Sequence, residues 1–240
     1  MIGRLLDLVW PRRCEVCGRP ADRAGRHLCA DCLNRIPFAP ADGCCRLCGR
    51  AVEGLEGEYL CEDCRRPSTR PAFDRAACAV RFEDKARDMI LDFKFHRHLW
   101  LRDDFADWLE ACARARFDLA AVDVVLPMPL TAFHRLDRGY NQCAYLARAL
   151  ARRLDRCVRE DALARAGHPR RQAGLDEDAR RANVKGTFAV RRPGRVRGRT
   201  VLVVDDVMTT GATLSECARA LKASGAARVW CLAVARSIRA

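Results

Sequence analysis

Long hydrophobic runs are absent from this sequence, although half of its 240 residues are hydrophobic. No run approaches the roughly 20 apolar residues of a membrane-spanning helix, so we expect no membrane insertion. The first ten residues are apolar but include Asp7, and they lead into Pro11 and two arginines without a small-residue cleavage site. We therefore expect residues 2–10 to form a short docking helix rather than a signal peptide.

Two kinds of nucleotide-binding loop are missing as well. The sequence has neither the Gly-Lys-Ser/Thr of a Walker loop nor the G-x-G-x-x-G of a dinucleotide-binding fold, which excludes the standard forms of both sites. Histidine is scarce, and because its five copies show no metal-ligand spacing, we assign them no catalytic role. Lysine is scarcer still, since 40 of the 44 basic residues are arginine, a side chain suited to phosphate.

Positive charge is abundant but unevenly distributed, and the net charge is +13. Residues 1–70 carry 12 basic and 10 acidic side chains, whereas residues 134–199 carry 18 basic and 7 acidic ones. A site for a polyanionic small molecule and a surface for nucleic acid both explain this excess, and composition does not separate them.

Cysteine is the other abundant residue, with fifteen copies. In the absence of a secretory signal, closely spaced cysteines indicate metal binding in a reducing cytoplasm rather than disulfides. Two C-x-x-C knuckles supply the four thiolates of a tetrahedral zinc site. The first 64 residues contain four such pairs: Cys14/Cys17, Cys29/Cys32, Cys45/Cys48 and Cys61/Cys64.

These pairs form an internal repeat. The segment CEVCGR at 14–19 matches CRLCGR at 45–50, and LCADC at 28–32 matches LCEDC at 60–64. The repeat predicts two tandem zinc ribbons, each with one structural zinc ion. Pairing of the first knuckle with the third is an alternative, and redox-active pairs are another. Cys44 is left as a spare thiol, and we expect the six later cysteines to be buried free thiols.

The chain divides into three parts of different composition. Residues 1–66 hold the cysteine repeat, 67–75 contain two prolines and are typical of a linker, and 76–240 alternate strand-like and helix-like patterns. In this last part, we predict strands at 76–82, 122–126, 201–204 and 229–234, and helices at 84–95, 103–116, from near 138 to about 154, and 214–224.

The segment VLVVDDVMTTGAT at 201–213 carries the most specific pattern. Its four apolar residues suit a strand buried on both faces of a parallel sheet. Asp205 and Asp206 follow where that strand should end. A loop rich in threonine and glycine then leads into a helix, and a second apolar strand completes a βαβ unit.

The loop from Thr209 through Ala212 to Thr213 suits an anion. A helix N-terminus offers unpaired N–H groups and partial positive charge, Gly211 permits close approach of the backbone, and the hydroxyls of Thr209, Thr210 and Thr213 add donors. The two preceding carboxylates suit sugar hydroxyls or a hydrated magnesium ion. Phosphate at one end and a diol at the other describe a site for ribose 5-phosphate.

Two more basic stretches are candidates for the same site. After the strand at 122–126, prolines at 127 and 129 stiffen the turn. Arg138, Asn141 and Gln142 then stand at a predicted helix start, well placed to bind an anion. Lys94 and its basic neighbours at 96–98 end the helix at 84–95. A solvated helix end, which favours cations, and a functional role explain that cluster equally well.

The motifs together resemble known families. The segment at 201–213 resembles the motif with which type I phosphoribosyltransferases bind 5-phosphoribosyl diphosphate (PRPP). The Pro-x-Pro turn and the sequence RGYNQ at 138–142 look like the hallmark of the ComF family of phosphoribosyltransferase-like proteins. A later segment is similar in spacing to another motif of that family, at Gln172, Leu175, Arg180, Asn183, Val184 and Phe188. The resemblance covers nearly the whole chain.

This resemblance implies a fold and a set of roles. The fold would be α/β, a type I phosphoribosyltransferase-like parallel sheet flanked by helices and preceded by a small double zinc ribbon module. The two acids would hold the ribose hydroxyls and, through water, magnesium, and the loop would bind the 5-phosphate. Arg138 and the loop at Met128 would face the pyrophosphate. Residues 165–186 would form a mobile basic flap, although a solvated segment with a short helix at 176–183 also fits.

The family is associated with a cytoplasmic location and with uptake of transforming DNA in competent bacteria, or with gluconate utilisation in others. No acceptor-recognition loop or general base stands out in the sequence. Two classes stay open. One is an enzyme, a glycosyltransferase of pentosyl groups with an unknown acceptor. The other is a non-catalytic PRPP or nucleotide sensor that presents its ribbons or basic face to single-stranded DNA or to a partner protein.

Overall fold

The computed structural model describes residues 12–40, 42–51, 57, 59–165 and 185–237. The expected helix at 2–10 lies outside these residues, as do the short helix at 176–183 and nearly all of the flap at 165–186. The described helices are α1 Ala30–Leu33, α2 Glu62–Arg65, α3 Asp84–Phe95, α4 Arg102–Arg116, α5 Ala132–Arg138, α6 Gln142–Leu154 and α7 Ala212–Ala223. The strands are β1 Arg75–Arg81, β2 Val124–Pro127, β3 Cys157–Val158, β4 Leu163–Arg165, β5 Phe188–Val190, β6 Thr200–Met208 and β7 Arg228–Arg236.

Five strands form one parallel sheet in the order β1-β7-β6-β2-β3. Its central strand, β6, is the apolar segment singled out above, and Val203 lies between Leu126 of β2 and Cys231 of β7. Strands buried on both faces read as continuous apolar runs, which is why the sequence pattern predicted a parallel α/β sheet correctly. Strands β4 and β5 pair separately and antiparallel.

Helices cover both faces of the sheet. One core contains the apolar faces of α3, α4 and α6, with Phe93, Phe105 and Leu150 buried against the sheet. The other contains α7, through Leu214 and Leu221. Each such side chain stabilises the fold by about 1.5–3 kcal/mol relative to its exposed state, and the spacing of three to four residues along each helix makes this burial possible.

The zinc ribbon module is built into this core. Three of the four cysteines in its first half, Cys14, Cys29 and Cys32, share the core of α3, α4 and α6, whereas all four in its second half share the core of α7. Between the two halves, residues 37–39 pair with the free edge of β1, where the Arg81 N–H donates to the Pro37 carbonyl at 2.8 Å and the Ala39 N–H to the Ala79 carbonyl at 2.9 Å. The module therefore covers an edge that would otherwise expose unpaired backbone groups.

Three sequence expectations need correction. Strand β6 extends to Met208, so Asp205 and Asp206 lie within it rather than beyond its end. Helix α5 was not predicted: it ends at Arg138, and Gly139 follows with φ +75°. Arg138 therefore stands at the end of a helix, and only Asn141 and Gln142 begin the next one, α6. Among the later cysteines, Cys157 is exposed and Cys112 is half-buried, whereas the other four are buried as expected.

No helix in the described part of the chain is long and apolar enough to cross a bilayer.

Candidate functional site

Two adjacent carboxylates lie at the carboxyl end of the central strand. Asp205 is 8% exposed and Asp206 is 5% exposed. The Asp205 Oδ1 accepts hydrogen bonds from the Asp206 N–H at 2.9 Å and from the Cys143 thiol at 3.4 Å. The Asp206 carboxylate accepts from the Val207 N–H at 2.7 Å and from the Gln142 amide at 2.9 Å. Such partners hold both side chains at defined positions.

A lysine completes this arrangement. The Lys94 Nζ, which comes from the last turn of α3, lies 2.9 Å from Asp206 Oδ2. Sequence reasoning left the basic stretch at 94–98 undecided, and the structure divides it. Only Lys94 reaches the acids, whereas His96 pairs with Asp92 at 2.8 Å and His98 with Glu15 at 2.6 Å. The signal that could have found Lys94 is its place one residue after Phe93, which is buried in the core.

The two carboxylates differ in their affinity for a proton. Burial and the neighbouring charge of Asp206 raise the pKa of Asp205 above its usual range. Burial also acts to raise the pKa of Asp206, but the Lys94 charge and the hydrogen bonds from Lys94 and Gln142 outweigh it, and the pKa is lowered. One acid is therefore an anion held by a cation, and its neighbour binds a proton more readily.

The predicted anion loop follows directly. Gly211 has φ +82° and precedes α7 as its N-cap. A Cβ atom at this position would lie 2.6 Å from the Met208 Cε, so both the conformation and the space favour glycine. The Ala212 N–H donates to the Thr210 hydroxyl at 3.3 Å. Thr209 is exposed and Thr213 is half-buried, so the loop between strand and helix is open to a ligand at its rim.

Residues of the RGYNQ motif connect α6 to the neighbouring strand. The Asn141 side chain accepts from the Cys143 N–H at 3.0 Å and caps α6. Its amide donates to the Met128 carbonyl at 3.1 Å, and the Met128 N–H donates to the Val204 carbonyl at 2.8 Å. Gln142 is 2% exposed and bonds Asp206 as described. The structure therefore brings Met128, Asn141 and Gln142 next to the acids.

Arg138 lies beside this group with donors to spare. Its guanidinium sits 4.9 Å from the centre of the Phe95 ring, and its Nε and Nη1 atoms are buried without a hydrogen-bond partner. Buried N–H groups are nearly always paired, so two unpaired donors on one arginine indicate a place where an anion would be stabilised.

A second arginine, the first residue of the segment that the family resemblance assigns to a basic flap near the site, interacts with one of the two acids, Asp205. Arg165 ends β4 and packs 5.3 Å from the Phe188 ring centre, with its Nε buried and unpaired. Burial lowers its pKa, and the nearby Asp205 partly opposes this. Burial together with the charges of Arg138 and Arg165 lowers the pKa of His134, so both guanidinium groups act on the same histidine.

The ribbon cysteines form two separate sets of four. In each set, all the sulfur atoms lie within 4.8 Å of one another. The first C-x-x-C knuckle joins the second, and the third joins the fourth. The two sets are Cys14, Cys17, Cys29 and Cys32, and Cys45, Cys48, Cys61 and Cys64. The interleaved pairing is therefore wrong. The sulfurs of Cys17 and Cys29 are 3.8 Å apart, and those of Cys48 and Cys61 are 3.6 Å apart. Zn–S bonds of about 2.3 Å place tetrahedral sulfurs about 3.8 Å apart.

Comparison with known sequences agrees with both parts of this structure. The family model for the Double zinc ribbon domain matches residues 5–80, and that for the Phosphoribosyl transferase domain matches residues 141–239. The chain is 30% identical over 228 residues to Competence protein F of Haemophilus influenzae, covering 92% of this chain and 96% of the relative. It is 30% identical over 222 residues to DNA utilization protein YhgH of Escherichia coli K12, covering 83% and 94%.

The chain belongs to the ComF family.

As a ComF protein with a double zinc ribbon, the chain has two four-cysteine clusters that fit two zinc ions. All four ligands of each cluster are cysteines, which is typical of structural rather than catalytic zinc. Cys44 belongs to neither cluster, and its thiol lies 3.5 Å from the Pro40 carbonyl. All fifteen cysteines are free of disulfides.

Solved structures with related folds are more distant. The ComF chain is 15% identical to glutamine phosphoribosylpyrophosphate amidotransferase from B. subtilis, with a TM-score of 0.41, over 60% of this chain and 30% of that one. It is 20% identical to a purine phosphoribosyltransferase from Pyrococcus horikoshii, with a TM-score of 0.34, over 57% and 83%. Neither structure bears on the site at this level of similarity.

Proposed function

We propose that this protein binds PRPP together with magnesium, and that it transfers or recognises the 5-phosphoribosyl group. The observation that carries the proposal is the order of groups at the end of β6. Two buried carboxylates, Asp205 and Asp206, are followed within five residues by a glycine-containing loop and the N-terminus of the 12-residue helix α7. Carboxylates suit a diol, and the helix N-terminus suits a phosphate.

Each part of PRPP has a candidate partner. Asp205 and Asp206 would accept hydrogen bonds from the ribose hydroxyls. The 5-phosphate would be held by the loop residues Thr209, Thr210, Gly211, Ala212 and Thr213. The pyrophosphate would lie against the Met128 loop and the unpaired donors of Arg138, supported by Asn141 and Gln142, which bond Met128 and Asp206.

Two further cations, which the sequence left without a defined partner, extend this proposal. Lys94 neutralises Asp206 when the acids have no ligand, and Arg165 lies near Asp205 with an unpaired buried donor. Both would face the negative charge of a bound phosphorylated sugar. A cluster of fixed cations stabilises pyrophosphate as it departs, because the charge grows on its oxygens as the bond breaks.

The reaction would be a substitution at the anomeric carbon of the ribose. The bond from that carbon to the pyrophosphate oxygen breaks, its electron pair leaves with the pyrophosphate, and a nucleophilic atom of the acceptor forms the new bond. The intervening state carries positive, oxocarbenium-like charge on the sugar. The roles of this chain would be to orient the ribose through its two acids and to hold the leaving group.

The oxygen atoms of Asp205 and Asp206 are suitable ligands for magnesium. Carboxylate oxygens are the ligands that magnesium prefers, usually together with water and substrate phosphates. The Lys94 ammonium, 2.9 Å from Asp206 Oδ2, is a cation paired with one of these two carboxylates. Asp205 and Asp206 would hold the hydrated ion, which would neutralise the charge on the pyrophosphate.

Calorimetric titration of the zinc-loaded protein with PRPP, with and without magnesium, tests the proposal. We expect magnesium-dependent binding, and we expect Asp205→Asn/Asp206→Asn to weaken it by about a hundredfold because both hydroxyl acceptors lose their charge. The control Asp88→Asn/Asp161→Asn changes two acids that lie outside the site, at 52% and 56% side-chain exposure, and should bind normally.

The acids also bond Lys94 and Gln142, so their replacement could disturb the fold. Zinc content and Tm of the variant check this, and Thr209→Val/Thr213→Val offers a second test that leaves the acids intact. Normal PRPP affinity in both double variants would refute the site.

A second candidate function rests on the names of the relatives and on charge. One relative is named for competence and the other for DNA utilization, and residues 134–199 carry a large positive excess. The protein would then be a non-catalytic PRPP or nucleotide sensor, located in the reducing cytoplasm, that binds single-stranded DNA or a competence protein. Steeply salt-dependent DNA binding that PRPP alters would favour this candidate, whereas pyrophosphate release with candidate acceptors would favour the enzyme.

A further inference from the structure

A cavity lies between the second zinc ribbon and the anion loop. Its volume is about 540 Å³, within the range of roughly 300–1,000 Å³ that small-molecule sites occupy. Three parts of the chain form most of its lining: the second ribbon, the segment 68–73, and the loop at 210–212 with the first turns of α7. Lys185 and Arg236 complete it. Asp205, Asp206 and the Met128 loop do not contribute to its described lining, whereas the anion loop does. The cavity therefore adjoins the proposed PRPP site and shares one wall with it, the loop at 210–212.

The lining is strongly basic. Five cations contribute to it: Arg50, Arg70, Lys185, Arg219 and Arg236. The lining contains two carboxylates, and both are already paired. Asp63 lies 2.8 Å from Arg50, and Glu216 lies 3.0 Å from Arg219. Among these basic and acidic side chains, positive charge exceeds negative charge by three. The thiolates of Cys48 and Cys64, which also line the cavity, offset part of this excess, and the remaining balance favours an anionic ligand.

Arg236 is the most unusual of these cations. It ends β7 and is only 6% exposed. Its Nη1 donates to the Cys48 carbonyl at 2.5 Å and lies 3.7 Å from the Met208 sulfur. No carboxylate in the described residues pairs with it. The ribbon thiolates nearby offset part of its charge, but a buried cation without a carboxylate is costly, and an anion in the cavity would reduce that cost.

The remaining lining matches a small organic phosphate rather than a bare ion. The first turn of α7 adds the partial positive charge of a helix N-terminus on one side. The hydroxyls of Ser68, Thr69 and Ser215 add polar groups, while Pro71 and Phe73 supply apolar surface. Small-molecule sites combine apolar walls with a few placed polar groups in this way.

We propose that this cavity is a second binding site, for a phosphorylated molecule of about mononucleotide size. Its phosphate would lie among the basic side chains at the mouth, and its organic body would contact the wall formed by Pro71 and Phe73. The site goes beyond the proposed function, because it requires neither phosphoribosyl transfer nor PRPP binding.

Titration of the zinc-loaded full chain with thymidine 5′-monophosphate tests this site. This nucleotide lacks the 2′-hydroxyl that the acid pair would hold, so it is a poor ligand for the PRPP site. We expect one molecule to bind, both without PRPP and with PRPP at a saturating concentration. Binding should also persist in Asp205→Asn/Asp206→Asn.

Charge variants locate the binding. Arg70→Glu/Lys185→Glu should weaken thymidine monophosphate binding by about tenfold or more, since two favourable charges become repulsive. The control Lys85→Glu/Arg195→Glu makes the same change in net charge at exposed residues that do not line the cavity, and it should bind normally. Arg70→Gln/Lys185→Gln is the milder variant to use if charge reversal lowers Tm.

Absence of binding, displacement of the nucleotide by PRPP, or equal affinities in the two charge variants would overturn the proposal. If PRPP itself fails to bind, the proposed function fails, while the charge variants still decide whether the cavity is a site.

Discussion

The two zinc ribbons carry nearly the same knuckle sequence but dock on the sheet in different ways. The first ribbon docks through charge. Its Arg26 bonds Asp107 of α4, Arg23 lies 3.2 Å from the same carboxylate, and the His27 N–H donates to Asp104 at 2.9 Å. All of these contacts are made by side chains of a helix that the ribbon faces.

The second ribbon docks through backbone contacts with β1. The Ala76 N–H of β1 donates to the Leu47 carbonyl at 2.7 Å, and a Cβ atom on Gly49 would lie 2.8 Å from the Ala76 carbonyl oxygen. The equivalent residue of the first ribbon, Gly18, has nothing within 4 Å of that position. A repeated knuckle therefore predicts its metal site, but the surrounding loops and the surface it meets decide how it packs. Of the two ribbons, only the second lines the cavity beside the anion loop.

Removal of one zinc ligand should have the largest effect and should distinguish the two ribbons most clearly. We expect Cys17→Ser and Cys48→Ser each to release one of two zinc ions, as measured by metal analysis. Structural zinc contributes on the order of 10 kcal/mol to the folding of such modules. Because Cys17 is exposed and Cys48 is buried against β1 and α7, Cys48→Ser should lower Tm more and should also weaken ligand binding at the loop. Equal losses in Tm would contradict a difference in docking.

Alanine at the two knuckle glycines gives a smaller, more specific effect. Gly18 and Gly49 have φ of +71° and +69°, so either replacement costs about 1–2 kcal/mol in backbone strain. Only Gly49→Ala also forces a methyl group against the β1 backbone, which we expect to cost about 2 kcal/mol more. Urea denaturation of the two variants measures the difference, and a matched loss would mean that the ribbon shifts away from β1 at little cost.

The pH dependence of stability should distinguish the charged interface of the first ribbon from the backbone interface of the second. Burial raises the pKa of Asp104 to about 6, despite the His27 N–H and the Arg23 charge. The folded state then binds more protons than the unfolded state between about pH 4 and pH 6, so the contribution of Asp104 to stability falls as pH rises through this window. We expect Asp104→Asn to gain unfolding free energy relative to the native protein from pH 4 to pH 6.

Asp107 on the same helix supplies the matched control. Burial acts to raise its pKa, but the hydrogen bond and charge of Arg26 outweigh it, and the pKa is lowered. Its stabilisation should be complete above its ordinary pKa of 3.8 and be lost as pH falls below that value. The difference in unfolding free energy between Asp107→Asn and the native protein should therefore stay constant from pH 4 to pH 6, and it should change in the opposite direction only below pH 3.8. Parallel pH profiles for the two variants would refute the assignment of opposite shifts.

Much of the candidate site could be predicted from local sequence. The acids, the loop and the N-terminus of α7 lie within one βαβ unit, and their order along the chain is also their order in space. Met128, Asn141 and Gln142 were predicted from a second local motif, and the structure brings them next to the acids. Asn141 and Gln142 bond protein groups there, which a motif alone does not specify.

The rest depends on contacts between distant parts of the chain. Lys94 and Asp206 are 112 positions apart in the sequence, and nothing near Lys94 indicates which carboxylate it meets. Arg165 ends β4, a three-residue strand of the separate antiparallel pair, a pattern too short to predict. Helix α5 was missed because its seven residues bury none of their side chains, so no apolar periodicity marks it.

By itself, the sequence determined the metal ligands, the parallel sheet and the loop that suits phosphate. Each depends on residues within about one supersecondary unit, where spacing translates directly into geometry. Only the tertiary structure decided the zinc pairing, the lysine that neutralises Asp206, the unpaired donors of Arg138 and Arg165, and the basic cavity between the second ribbon and α7. These arise where separate elements pack together, and burial there gives each charge a partner, or leaves it without one, irrespective of its neighbours in sequence.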